Sequence, residues 1–86
     1  MIDKIKAISK HYLVDDQILL NIYEQVQNTG ILTSQNMRWI TSIGIPGFTI
    51  LAEILKVPKS DIHIMCYDGK ITLENFEQLI NLTITN

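Results

Sequence analysis

A single cysteine, Cys66, in 86 residues leaves no internal disulfide to hold a fold together. Packing must do that work, and a reducing compartment suits such a chain. Basic clusters are scarce too. Seven Lys and Arg stand against nine Asp and Glu, for a net charge of −2, and the densest positive group is Lys4, Lys6 and Lys10. A nucleic-acid binder carries a stronger positive stripe, so a nucleic-acid partner is not expected. The longest apolar run is broken by Pro46 and Glu53, so no membrane span is expected. The opening residues MIDKIKAISK lack the apolar stretch of a signal peptide. Glycine is limited to four positions, none of which forms a phosphate-loop or dinucleotide pattern. Serine-hydrolase signatures are absent as well. No catalytic residue, cofactor or bound metal is expected, and the chain does not read as an enzyme.

What is present fits a folded domain. The composition is 47% hydrophobic and 19% charged, and the length allows one domain with a modest core. Helical periodicity runs through almost all of it. A first helix over Asp3 to His11 carries Ile5 and Ile8, with Ile2 just ahead at the same spacing. Tyr12-Leu13-Val14 connects it to a second helix capped by Asp15, with Asp16 in its first turn. That helix runs to Asn28 with Ile18, Leu19, Ile22, Tyr23 and Val26 inward, and Gly30 ends it. A third helix spans Ser34 to Ile43 with Met37, Ile40 and Thr41 inward.

Gly44-Ile45-Pro46-Gly47 then makes a corner. Gly44 suits the left-handed close of one helix and Pro46 the first position of the next, with Ile45 plugging inward between them. The fourth helix, Pro46 to Lys56, has Phe48, Leu51, Ala52 and Leu55 on one stripe and Ile50 and Ile54 on a second. Apolar on so much of its circumference, it is central or docked on a partner. Pro58 precedes a fifth helix over Lys59 to Tyr67, with Ile62, Met65 and Cys66 inward, and Gly69 follows its stop. Thr72 caps a sixth helix to Leu82, with Phe76, Leu79 and Ile80 inward. Thr83 to Asn86 reads as a frayed tail. The class is all-α: a compact bundle of five to six short helices joined by tight Gly/Pro turns, with structural turns at Gly30, Gly44, Pro46 and Gly69.

GILTSQNMRWITSI, residues 30–43, aligns without a gap on GKITLENFEQLINL, residues 69–82. Glycine, threonine and asparagine coincide, and Met37, Ile40 and Ile43 pair with Phe76, Leu79 and Leu82. Any capped amphipathic helix produces this pattern; the alternative is a duplicated linker-plus-helix unit.

His63 and Cys66 stand three apart with Asp61 nearby, the beginning of a zinc site. A structural site needs four ligands, and His11 is remote in sequence, so Cys66 is expected as a small buried hydrophobe. The unexplained feature is apolar surface. Trp39 and Ile43 share a flank of the third helix, and Ile64 and Tyr67 a flank of the fifth. Either the bundle buries these flanks against its own neighbours, or they form a partner surface of the aromatic kind that anchors interfaces.

Several of these residues carry a resemblance. Gly44-Ile45-Pro46, the Leu51-Ala52-x-x-Leu55 helix, Val57, Ile62, Met65, Gly69-Lys70-Ile71-Thr72 and Glu74 stand in one register, with the Gly30 linker before them. Over Asp15 to Leu82 the chain resembles the tape-measure domain of tail length tape measure proteins of bacteriophages and prophages. Lys56 stands where that pattern has glycine, Pro58 where it has a serine cap, and Trp39 where a polar residue is usual. The resemblance implies a virion structural protein acting in tail assembly and length determination. Its partners would be tube, chaperone or tip proteins, or a second copy. Its place would be the virion tail, assembled in the host cytoplasm. Even as one continuous helix at ~1.5 Å per residue the chain would reach only about 130 Å, so it is expected to be a segment of a longer protein. The alternatives are a helix-turn-helix DNA-binding regulator and a generic helical protein–protein interaction module. The fourth helix has no Arg, Lys, Asn or Gln before Lys56 to read base edges.

Overall fold

Side-chain caps open three of the helices. The computed structural model describes residues 1–85. It has six helices: α1 (Ile2–His11), α2 (Asp16–Thr29), α3 (Ser34–Ser42), α4 (Gly47–Leu55), α5 (Lys59–Tyr67) and α6 (Leu73–Thr85). The Asp15 carboxylate accepts the Gln17 N–H at 2.9 Å and opens α2. Thr33 opens α3 with a reciprocal box: its hydroxyl accepts the Asn36 N–H at 3.1 Å, and the Asn36 Oδ1 accepts the Thr33 N–H at 3.1 Å. Thr72 and Asn75 repeat the same exchange ahead of α6, at 3.2 and 3.0 Å.

The two linkers that lead into these boxes lie against each other. The Leu32 N–H donates to the Ile71 carbonyl at 2.8 Å, and the Leu73 N–H donates to the Gly30 carbonyl at 3.1 Å. Ile31 and Thr72 thereby form an isolated antiparallel bridge, while no strand occurs among the described residues. Gly30 and Gly69 take φ of 79° and 71°, and Leu32 and Ile71 are fully buried beneath the bridge. The matched segments seen in the sequence are thus matched in conformation and paired in space.

The corner between α3 and α4 is tighter than its sequence indicates. Gly44 takes φ 100°, and a side chain there would also meet the Tyr12 ring at 3.4 Å. Ile45 is 1% exposed, a burial that stabilises by about 1.5–3 kcal/mol. Pro46 is the cap rather than the first helical residue, with φ −78° and ψ 63°, so α4 begins at Gly47. A Cβ on Gly47 would sit 2.9 Å from Met37 Cε and 3.2 Å from Ile40 Cγ2. Glycine is therefore what lets α4 approach α3.

Helices α4 and α6 form the centre. α4 packs on α3, α5 and α6, while α6 also packs on α1, which in turn pairs with α2. Phe76, Leu79 and Ile80 from α6 and Leu51 from α4 are fully buried between them. The molecule measures 30 × 27 × 20 Å.

Four expectations change. Ile2 is 54% exposed at the first position of α1, and the buried face begins at Ile5. Thr41 is exposed, and Asn36 is the buried residue instead, because its amide serves both the cap and the Gln25 side chain. On α4 the inward face is Ile50 and Leu51, with Phe48 only partly buried. The frayed tail is helix through Thr85; Asn86 lies outside the described residues. β-branched residues cost only some tenths of a kcal/mol in a helix. Here Leu82 offsets that by packing against the core, while the Thr83 hydroxyl donates to the Leu79 carbonyl at 2.8 Å.

Candidate partner surface

Of the four residues proposed for a partner surface, three are open to solvent. Trp39 is 50% exposed, Ile64 60% and Tyr67 86%. Ile43 is different: it closes the last turn of α3 and packs partly buried against the core. The remaining three do not form one patch. Trp39 turns toward α2, where it borders a small recess of about 180 Å³ with Ile18 and Gln25. The side of α3 that faces α5 carries Arg38, Thr41 and Ser42 instead. Ile64 and Tyr67 therefore belong to a different surface from Trp39.

That second surface includes a groove that periodicity alone does not reveal. A recess of about 460 Å³ lies between α3 and α5, with Arg38 and Ser42 on one wall, Phe48 and His63 on the other, and Cys66 at its base. A second recess, about 280 Å³, shares Thr41, Phe48 and His63 with it and extends past Thr49 to Lys59. The rings of Phe48 and His63 stack where the two recesses meet, with centroids 3.9 Å apart and planes 13° from parallel. Phe48 is left half-open because α4 turns Ile50 and Leu51 into the core, and the imidazole covers part of its face.

The charges that line this groove have one sign. Arg38 and Lys59 border it, no carboxylate does, and neither cation forms an ion pair among the described residues. A further recess, between α1 and α2, is bordered by Asp3 and Glu24. His63 had a signal in the sequence, though it pointed toward metal binding; Phe48 had one too, as a core residue.

Cys66 is 4% exposed, and burial pushes its thiol above the ordinary value, which keeps it protonated and a poor nucleophile. No group of three or more His, Cys, Asp and Glu able to hold a metal ion occurs among the described residues. No helix among them is long and apolar enough to cross a membrane. The turn residues Gly30, Gly44 and Gly69 all take positive φ and, with Pro46, shape the backbone.

No family model, curated protein or solved structure matches the chain.

Proposed function

We propose that this chain is a structural interaction domain of a bacteriophage or prophage tail tape measure protein, acting through contacts with other tail components during assembly. The observation that carries the reading is Lys56. The tape-measure pattern has glycine at this position, and Lys56 closes α4 at φ 57° and ψ 46°, the left-handed conformation that glycine adopts at least cost. A substitution at a site whose backbone still takes the glycine conformation is what descent from that pattern would leave. The other motif residues support it by what they do: Ile45, Leu51, Ile62 and Ile71 are all core.

A domain 30 Å across is too short to measure a tail by its own length, so its role is contact and not measurement. The decisive observation is physical association. Mass spectrometry of purified tails should find these residues within a longer, helix-rich tail protein. Their absence from tails, in a strain where the frame is expressed, would refute the reading.

The corner between α3 and α4 is the feature that favours a DNA-binding regulator. The outward side chains of α4 argue against that alternative. They are Thr49, Glu53 and Lys56, so a carboxylate would stand in the middle of a reading face. A gel-shift titration across salt separates the two, because phosphate binding weakens steeply with salt.

A further inference from the structure

We infer that the groove between α3, α4 and α5 is a docking site for an acidic peptide segment of a partner protein, one that carries carboxylates beside an aromatic or aliphatic side chain. The inference deepens the interaction role proposed above and rests on it. Three observations converge on this occupant. The cations bordering the groove, Arg38 and Lys59, are unpaired among the described residues, and no carboxylate lines it. Between them the stacked Phe48 and His63 rings offer a flat, half-open platform for an apolar side chain. Tyr67 stands one turn beyond His63 on the same face of α5, 86% exposed, and Ile64 lies beside it at 60%. The apolar surface thus continues out of the groove along α5.

Charge complementarity selects the partner's sign. An Arg fork matches a carboxylate geometrically, and a lysine at the far end sets the spacing of a second anionic group. A nucleic acid would meet the same cations, and its bases would stack on the same rings. It would also approach a chain of net charge −2 with too few cations in a row to displace a counterion layer. A short acidic segment presents its charge locally and brings its own apolar anchor. The exposed Trp39 is not part of this site, since it turns to the α2 side of α3.

The test is a selection from a library of random short peptides displayed on yeast, against the full chain, followed by affinity measurements on the enriched peptides. The expected result is enrichment of Asp and Glu next to Leu, Phe or Trp. The Arg38→Glu/Lys59→Glu variant should then weaken binding by about tenfold or more. Tyr67→Ser, at a position too exposed to affect folding, should weaken it several-fold, while Lys4→Glu/Lys6→Glu on α1 should leave it unchanged. Circular dichroism melts of each variant establish that the fold is retained. The inference is overturned by a selection that yields no binders or yields binders without carboxylates. Affinity that survives the Arg38/Lys59 reversal but falls with Trp39→Ala overturns it too, as does oligothymidylate displacing the peptides at equal concentration. Because the selection uses no tail component, its failure leaves the tail-assembly reading standing. Absence of the chain from tails would likewise leave the groove standing.

Discussion

Single residues in this chain hold positions that their own chemistry does not favour, and those positions are the informative ones. Lys56 adopts the left-handed conformation without glycine's freedom, and its side chain is solvent-exposed, so nothing in packing repays the strain. Lys56→Gly is therefore expected to stabilise the fold by about 0.5–1 kcal/mol, the reverse of what glycine does in a helix interior. Urea denaturation measures this directly, and an unchanged or lowered midpoint would show that the strain is relieved elsewhere. Leu13 shares the conformation, with φ 57° and 91% exposure, at the turn between α1 and α2. It belongs to the Tyr12-Leu13-Val14 connector, and the fold leaves it outside while Tyr12 and Val14 are partly buried. Neither strained position could be read from periodicity, because periodicity reports which face a side chain takes and not the sign of φ.

At the scale of helices and linkers, more was legible in the sequence. Asp15, Thr33 and Thr72 stand at the caps assigned to them, because a hydroxyl or carboxylate ahead of an apolar period has one common structural use. The alignment of residues 30–43 on 69–82 was visible as well; what it could not reveal was that the two linkers hydrogen-bond to each other. It also concealed a difference in burial. Asn36 is 3% exposed and donates its amide to the Gln25 Oε1 at 3.0 Å, tying α3 to α2. Asn75 caps α6 near the surface and donates to Gln78 within its own helix. Asn36→Ala should cost about 2 kcal/mol, as a lost cap plus a lost tertiary bond, and Asn75→Ala about 1 kcal/mol. Equal losses on thermal or urea unfolding would mean that the buried bridge adds nothing beyond the cap. The groove was the least legible element. Arg38, Phe48, Lys59 and His63 lie on three helices, and sequence spacing places residues on a helix face without saying which faces meet.

Over the whole molecule, stability couples to pH at the alkaline end through two groups that hold their protons more tightly in the folded state. Burial, and then the Glu77 carboxylate that accepts its hydroxyl at 3.4 Å, push the Tyr23 phenol above its ordinary value. Burial alone pushes up the Cys66 thiol. A group whose folded pKa exceeds its unfolded pKa binds more protons in the native state, so its contribution is complete below the unfolded value and is lost as pH rises past it. Unfolded thiols titrate at about 8.5 and phenols at about 10, so stability should not vary with pH through these two groups near neutrality and should decline in two stages above those values. Urea midpoints from pH 7 to 11 would trace the decline. Cys66→Ala should remove the first stage, at the cost of a small cavity below the groove, and Tyr23→Phe the second. Tyr23 joins α2 to α6, whereas Cys66 lies under the junction of α3 and α5. The two groups report on different helix contacts, and a single unfolding transition shifting with both would show that the six helices melt as one cooperative unit. If the two stages instead belonged to separate transitions, the α1–α2 pair would be unfolding independently of the helices that build the groove.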